Sequence, residues 1–287
     1  MWIKIGLIGE GIANSISPFL HEEEARENQI DYSYRLIDTQ DPFFAKMPIN
    51  KLIEYAIDKQ FVGLNITYPF KQQVVPYLDS SDKQVAELNS ANTILIQDGK
   101  LSGYNTDYFG YAEFLKQQFT AEKLDTILLV GAGGAGRSVA LALIDHGVRE
   151  LVLNDISHPA AEELAELISV LRPRQKISVH TKQNIPKMDV TGVINATPMG
   201  MSKFPGLCVD PTDFPASCWM NDIVYFPLKT LFLKKAEESG HHIFDGSTMA
   251  VFQAAHSFYH FTGLAADKSR MMSNFEKRTK HSISRIY

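Results

Sequence analysis

Cysteine is scarce in this chain. Cys208 and Cys218 are the only two in 287 residues, too few for a disulfide framework, and no further cysteine or histidine stands near them at a zinc-ligand spacing. The sequence therefore predicts no metal site, and it fits a reducing compartment, the cytoplasm. Long hydrophobic runs are missing too: no charge-free apolar stretch is long enough to span a bilayer. Met1-Trp2-Ile3-Lys4-Ile5 reads as the start of a strand, not as a basic segment before an apolar signal region, so neither membrane association nor secretion is expected. Repeats and low-complexity segments are absent. There is no surplus of basic charge either: 28 Lys and Arg stand against 33 Asp and Glu, a net charge of -5. Without a broad positive field to attract phosphate backbones, nucleic acid is not an expected partner. A chain of this length that is 45% hydrophobic can bury a large core, and two domains of ordinary size that act on a small molecule are the expectation.

The most informative stretch runs from Ile127 to Asp155. Ile127-Leu128-Leu129-Val130 suits a parallel strand buried on both faces, and it leads into Gly131-Ala132-Gly133-Gly134-Ala135-Gly136. Gly131, Gly133 and Gly136 match the G-x-G-x-x-G spacing at a strand-to-helix turn. The first glycine permits the tight turn, the second lets backbone approach a pyrophosphate, and the third lets helix and strand pack closely. The free N–H groups of the helix start then face the anion. A helix Arg137 to His146 closed by Gly147 and a second strand Leu151 to Asn154 follow, and Asp155 falls at the distance expected for a carboxylate that binds a ribose diol. Strand, glycines, helix and terminal acid together predict a dinucleotide site.

In the first half, Ile3 to Gly9 and Tyr32 to Asp38 read as strands, and Lys51 to Gln60 as a helix with Leu52, Tyr55 and Ala56 on one face. Gly6, Gly9 and Gly11 have the wrong spacing for a second nucleotide loop. Ser17 is a plausible N-cap with Pro18 at N1; the same helix start, with Ser15 and Ser17, also suits a small carboxylate, because N–H groups and hydroxyls both donate. Phe61 to Tyr68 reads as a strand, with Pro69 opening a helix and Lys71 in its first turn. A cation there opposes the helix dipole. It is either a solvated lysine or one placed to act as a base or to meet an anion. Ala91 to Ile96 reads as a strand that turns at Gly99 and returns through Leu101-Ser102-Gly103, and a helix runs from Tyr108 to Gln118. Thr106 or Asp107 could cap that helix, and Asn92 could satisfy local backbone. Yet Thr67, Lys71, Asn92 and Asp107 all sit at strand-to-turn or turn-to-helix boundaries, which in open α/β sheets gather at the carboxyl edge where ligands bind.

In the second half, Pro159 to Leu171 reads as a helix, Ile177 to Val179 and Gly192 to Asn195 as strands, and Met220 to Tyr225 as another strand stopped by Pro227. The ends of the last two are expected to frame the nicotinamide side of the dinucleotide site. His242 to Gly246 leads into a helix from Met249 to Thr262 closed by Gly263, on which Gln253 faces either solvent or a ligand. The tail, from Lys268, is helical at first and then polar and basic through Lys277, Arg278, Lys280 and Arg285, a solvated and frayed end.

Taken in order, these segments resemble the shikimate/quinate dehydrogenases over nearly the whole chain. The resemblance rests on Ser15-Ile16-Ser17-Pro18, on Gly63-Leu64-Asn65-Ile66-Thr67-Tyr68-Pro69-Phe70-Lys71, on Ala91-Asn92-Thr93, and on Gly103-Tyr104-Asn105-Thr106-Asp107. It continues through the glycine loop, Asn195-Ala196-Thr197-Pro198-Met199-Gly200, Asp222-Ile223-Val224-Tyr225, and Asp245-Gly246 with Met249 and Gln253. It implies an α/β chain: a substrate-binding catalytic domain over residues 1–107, a Rossmann-type NAD-binding domain over 108–240, and C-terminal helices over 241–287 that return to the substrate domain. It also implies Lys71 and Asp107 as a catalytic pair sharing a proton, and Ser15, Ser17, Thr67, Asn92, Tyr225 and Gln253 around a polyhydroxylated ring carboxylate. The cofactor would lie against Gly131, Gly133, Gly134, Ala135, Gly136, Asn154, Asp155, Thr197, Val224, Gly246 and Met249.

The departures from the family pattern are informative. Many shikimate dehydrogenases that this chain resembles carry Asn-Arg-Thr after the second Rossmann strand, where the arginine accepts a 2′-phosphate. Here Asn154-Asp155-Ile156 places a carboxylate that repels the phosphate and hydrogen-bonds a free diol. NAD is the expected cofactor, with NADP weaker, and the chain looks most like the NAD-using quinate/shikimate branch. Tyr68 stands where a small apolar residue is common. Ser17 is smaller than the threonine often seen in the quinate branch, so shikimate and quinate both stay as substrates. The expected protein is a monomer or homodimer. Its rivals are another Rossmann dehydrogenase acting on a small hydroxy carboxylate, which would lack the Lys71/Asp107 pair, and a non-catalytic sensor of quinate or shikimate.

Overall fold

A computed structural model describes residues 2–120, 124–181 and 189–283, so Arg285 and the end of the basic tail lie outside the described residues. Contacts divide the chain into two units: Met1–Gly110 with Val251–Tyr287, and Tyr111–Ala250. The divisions fall inside helices, not at the expected boundaries near 107 and 240.

The first unit begins with strand β1 (Ile3–Gly9), helix α1 (Ser17–Glu27), strand β2 (Tyr32–Asp38), helix α2 (Ile49–Asp58) and strand β3 (Gly63–Ile66). The short strand β4 (Ser80–Ser81), helix α3 (Lys83–Leu88), strands β5 (Thr93–Gln97) and β6 (Lys100–Tyr104), and helix α4 (Thr106–Gln118) follow. The six strands form one sheet in the order β2-β1-β3-β5-β6-β4. β1 is parallel to β2 and to β3, whereas β5 is antiparallel to β3 and to β6. The β5–β6 reversal comes from a two-residue hairpin. Asp98 and Gly99 both have positive φ, 50° and 75°, as a turn matched to strand twist demands.

β1 is buried on both faces. Ile8 joins Leu52, Ile53, Leu64 and Ile94 in one core, and Ile3, Ile5 and Leu7 join Ile12, Tyr34 and Phe261 in another.

Two sequence expectations fail in this unit. No α-helix opens at Pro69: the chain makes turns and then a single 3-10 turn, Val75–Tyr77. The Lys71 carbonyl accepts the Ala91 N–H at 2.8 Å, so it is not part of a helical ladder, and Pro76 has no N–H with which to extend one. Ser17 is not the cap of α1; Ile16 holds that position, and the Ser15 hydroxyl oxygen accepts the Ser17 N–H at 3.3 Å.

The second unit contains β7 (Thr126–Val130), α5 (Gly134–Asp145), β8 (Glu150–Asn154), α6 (His158–Leu171), β9 (Lys176–Val179), β10 (Gly192–Asn195), β11 (Trp219–Asp222), α7 (Leu231–Glu238) and β12 (Ile243–Phe244). Its sheet runs β12-β11-β10-β7-β8-β9 with every pairing parallel. This is the doubly wound order, whose connections reverse direction between β7 and β10. Central strands β7 and β10 are buried at every residue, as their unbroken apolar runs require. α5 starts at Gly134, three residues before the expected Arg137, and Gly147 ends it with φ 95°. β11 stops at Asp222 and does not reach Tyr225, because the Val224 N–H turns back to the Asp222 carboxylate.

Helix α8 (Ser247–Thr262) spans the second division and α9 (Lys268–Ile283) completes the first unit. Gly63 lets α8 seat on β3, since a Cβ there would lie 2.4 Å from the Phe261 ring. The Glu24 carboxylate, fully buried on α1, accepts from the Arg270 guanidinium of α9 at 2.6 and 2.9 Å. No described helix is long and apolar enough to cross a membrane.

Candidate active site

In the first unit, Lys71 and Asp107 meet. Lys71 Nζ lies 2.5 Å from Asp107 Oδ2, with side chains only 15% and 7% exposed. Lys71 sits in the turns after β3, held through its carbonyl by Ala91, and Asp107 occupies the first turn of α4. Neither Asp107 nor Thr106 caps that helix. Asn105 does: its Oδ1 accepts the Tyr108 N–H at 3.1 Å, while its Nδ2 donates to the Ser90 carbonyl at 2.8 Å. The Asp107 carboxylate is thus free of capping duty and available to a side chain.

Asn92 completes the pair. Its Oδ1 accepts the Thr106 N–H at 2.7 Å, which turns its Nδ2 toward Asp107 Oδ1 at 2.9 Å. Behind it lies a buried polar network that sequence reading missed. Asn65 Nδ2 lies 3.0 Å from both Thr93 Oγ1 and Ser257 Oγ, and the Ser257 hydroxyl is also within 3.0 Å of Thr106 Oγ1. Tyr34 donates its hydroxyl to Asn65 Oδ1 at 2.8 Å. Asn65, Thr93, Thr106 and Ser257 are all buried, so each hydroxyl and amide must be satisfied internally. Such a network fixes orientation. The signal that could have found it is a lone amide, Asn65, inside the apolar strand Gly63–Ile66.

The other sequence-chosen residues of this unit are Ser15, Ser17, Thr67 and Gln253, all half-buried. Thr67 donates its N–H to the Ile8 carbonyl at 2.9 Å, and its methyl lies against Gly9, where a Cβ would come within 2.3 Å. Gln253 stands one turn before Ser257 on α8, and its carbonyl accepts the Ser257 hydroxyl at 3.0 Å. Tyr225, expected among them, belongs to the second unit.

In the second unit the glycine loop has the geometry its spacing predicts. Gly131 has φ 109°, and a Cβ there would strike the Ala196 carbonyl at 2.7 Å. At Gly136 a Cβ would meet the Gly131 carbonyl oxygen at 2.0 Å, so the helix packs on the strand end only because that residue is glycine. Nothing lies within 4 Å of a Cβ at Gly133, which is exposed at the cap of α5 with no side chain bonded to the helix start. That cradle fits a diphosphate: open at the middle glycine, with Gly134 and Ala135 forming the first turn of the helix behind it. Asp155 is half-buried after β8; its Oδ2 accepts the Ala132 N–H at 2.7 Å and its Oδ1 the Ser157 N–H at 2.8 Å. The carboxylate is therefore moored beside the glycine loop. Asn154 is different: it is buried, and its Nδ2 donates to the His180 carbonyl at 2.7 Å, a structural tie between β8 and the residue after β9.

Thr197, Val224, Gly246 and Met249 also fall in this unit. Thr197 donates its N–H and hydroxyl to Asn195 Oδ1 at 3.0 and 2.6 Å. Val224 and Met249 are buried. Gly246 lies so close to the Ile223 carbonyl oxygen that a Cβ would come within 2.5 Å. Among the described residues no cluster of His, Cys, Asp and Glu could hold a metal ion.

Comparison with known proteins bears on the family and the fold. Residues 7–94 match the family model of the shikimate dehydrogenase substrate binding domain. The chain is 38% identical over 276 residues to a quinate/shikimate dehydrogenase (NAD(+)) of Corynebacterium efficiens, covering 95% of this chain and 97% of that relative. It is 37% identical over 273 residues to a shikimate dehydrogenase (NADP(+)) of an Arthrobacter species, covering 94% and 93%. The solved quinate dehydrogenase of Corynebacterium glutamicum in complex with NAD superposes with a TM-score of 0.87 at 37% identity, over 96% of this chain and 99% of that one. With fold, glycine loop and relatives in agreement over nearly its full length, the chain belongs to the shikimate/quinate dehydrogenase family.

Proposed function

We propose that the chain is an NAD-dependent dehydrogenase that interconverts shikimate with 3-dehydroshikimate, quinate with 3-dehydroquinate, or both. The observation that carries this reading is the 2.5 Å contact of Lys71 with Asp107, nearly buried and backed by Asn92. Lys71 and Asp107 are the catalytic pair. In the oxidation, Lys71 Nζ takes the proton of the reacting hydroxyl as the alcohol carbon becomes a carbonyl, and Asp107 stabilises the resulting ammonium. The bound nicotinamide supplies the hydride chemistry. In the reverse direction the Lys71 ammonium returns the proton to the carbonyl oxygen.

Ser15, Ser17, Thr67, Asn92 and Gln253 of the first unit are the proposed partners of the substrate's carboxylate and hydroxyls. The first unit is then the substrate domain and the second the cofactor domain. NAD is preferred because the Asp155 carboxylate, beside the loop that cradles the diphosphate, accepts hydrogen bonds from a free ribose diol and repels a 2′-phosphate. NADP is a weaker cofactor. The relatives named for NAD and the NAD-bound quinate dehydrogenase support this choice, although the Arthrobacter relative is named for NADP. The protein is proposed to act in the cytoplasm as a monomer or homodimer.

The test is to incubate the purified protein with NAD or NADP and either shikimate or quinate, following reduced nicotinamide by absorbance. Reduction of NAD with one or both substrates is the expected result. Binding of quinate or shikimate without any hydride transfer would instead identify a sensor.

A further inference from the structure

Asp222 ends β11 and is fully buried, and no cationic side chain faces it among the described residues. Its contacts are all neutral donors. Oδ1 accepts the Val224 N–H and Asn195 Nδ2, each at 2.9 Å, and Oδ2 accepts the Thr230 hydroxyl at 2.6 Å. Gly200 approaches from the remaining side, where a Cβ would lie 3.7 Å from Oδ2. Taking a carboxylate out of water without a counter-charge is costly, and the three hydrogen bonds offset only part of it. Burial accordingly pushes the Asp222 carboxyl up to about 7, against the lowering by Thr230, Val224 and Asn195.

What this group joins is more specific than a strand end. Through Val224 it holds the turn after β11, and through Thr230 the start of α7, whose Leu233 N–H the Thr230 hydroxyl caps at 3.3 Å. Through Asn195 it reaches the turn after β10: Asn195 Nδ2 also donates to the Met199 carbonyl at 2.9 Å, and Asn195 Oδ1 holds Thr197 by both its N–H and its hydroxyl. Two separate turns are thereby tied to one carboxylate. They carry Thr197 and Val224, both proposed cofactor contacts.

We propose that Asp222 is a positioning residue that sets the placement of Thr197 and Val224, and so the grip on the nicotinamide portion of the dinucleotide. This rests on the proposed cofactor site. The adenosine portion, at Asp155 and the glycine loop, has its own moorings and is independent of Asp222. Asp222 touches neither substrate nor cofactor; it acts through the two turns. The ionised carboxylate accepts from all three donors. Once protonated, it must give a proton to one of these contacts, and the Thr230 hydroxyl has to reverse.

The test uses the full-length chain without substrate and measures the dissociation constants of NAD and of ADP-ribose, which lacks the nicotinamide. Wild type is compared with Asp222→Asn and Asp222→Ala at about pH 6 and about pH 8, on either side of the Asp222 titration. In Asp222→Ala, NAD binding weakens about tenfold, as expected for losing hydrogen bonds to a charged group, while ADP-ribose binding changes less than about twofold. Wild type binds NAD more tightly at the higher pH. Asp222→Asn, which keeps the shape and stays neutral, removes that pH dependence, and it remains informative if the alanine variant does not fold. Equal weakening of NAD and ADP-ribose, or unchanged NAD affinity and pH profile in Asp222→Asn, would overturn the proposal. Failure of wild type to bind either nucleotide would instead overturn the assignment of the cofactor site.

Discussion

The two units solve their tasks with different parts of the chain. In the first, the proposed chemistry is borne by side chains: Lys71, Asp107 and Asn92 are aligned by a buried web of Asn65, Thr93, Thr106 and Ser257. In the second, the proposed cofactor cradle is mostly backbone, shaped by three glycines, with the Asp155 carboxylate moored beside it. Proton transfer needs a particular functional group at hydrogen-bond distance, so its supports must fix a side-chain rotamer. A diphosphate needs N–H groups and room, which glycines provide without any side chain. The sheets follow suit. The first unit mixes parallel and antiparallel strands, and its antiparallel β5–β6 pair sets Asn92, just before β5, beside Thr106 and Asp107, just after β6, whereas the second is wholly parallel and presents helix starts.

The largest expected effect falls on the first unit. Lys71→Ala should lower kcat on the order of 10³-fold, the usual worth of a positioned general base, with the NAD dissociation constant little changed. Steady-state kinetics with a separate binding titration checks both. Next comes the second unit: Asp155→Ala should reduce the NAD-over-NADP preference in kcat/KM by about tenfold or more, through removal of the diol's acceptor and of the repulsion toward a 2′-phosphate. Parallel assays with both cofactors read this ratio, and an unchanged ratio would show that Asp155 does not select.

The smallest effects concern stability, and they have opposite signs in the two units. His21 of α1 is enclosed by Tyr34, Phe258 and Phe261, with Nδ1 2.9 Å from the Tyr32 hydroxyl, and burial pushes its imidazole down from 6.5 to about 3. Its folded value lies below its unfolded one, so its contribution is complete above about 6.5 and is lost as pH falls toward 3. Asp222 runs the other way. Its folded value is raised from 3.8 to about 7, so its contribution is complete below about 3.8 and is lost as pH rises toward 7. Each is worth a few kcal/mol at most, because a tenfold change in proton affinity corresponds to about 1.4 kcal/mol. In thermal melts across this range, His21→Phe should flatten the acid-side loss and Asp222→Asn the loss toward neutrality. Identical pH profiles for variants and wild type would remove the distinction.

The second unit is the more legible in the sequence, and the same difference explains why. Gly131, Gly133, Gly136 and Asp155 lie within one contiguous stretch, and local geometry requires two of the glycines: Gly131 by its φ of 109° and Gly136 by its contact with the Gly131 carbonyl. In the first unit Lys71 and Asp107, which the fold brings together, stand out in the sequence for partly wrong local reasons. The sequence sets Lys71 against a helix dipole, yet it sits in turns; it offers Asp107 or Thr106 as the cap of α4, yet Asn105 holds that place. The supporting web cannot be read from local patterns, because its members are joined across the chain. Asn65 and Ser257, 3.0 Å apart, are separated by 192 positions. Helices α3 and α7 leave little trace in the sequence because they are short, at 6 and 8 residues, too brief for hydrophobic periodicity to stand out.

The division of labour between the units is tested most directly by measuring kcat, the NAD dissociation constant and the substrate dissociation constant for wild type, Lys71→Ala and Asp155→Ala under one set of conditions. Lys71→Ala should lose turnover while keeping NAD affinity within about twofold, and Asp155→Ala should lose NAD affinity by about tenfold while keeping substrate affinity. Full turnover in Lys71→Ala, or an Asp155→Ala variant that binds NAD as well as wild type, would contradict it.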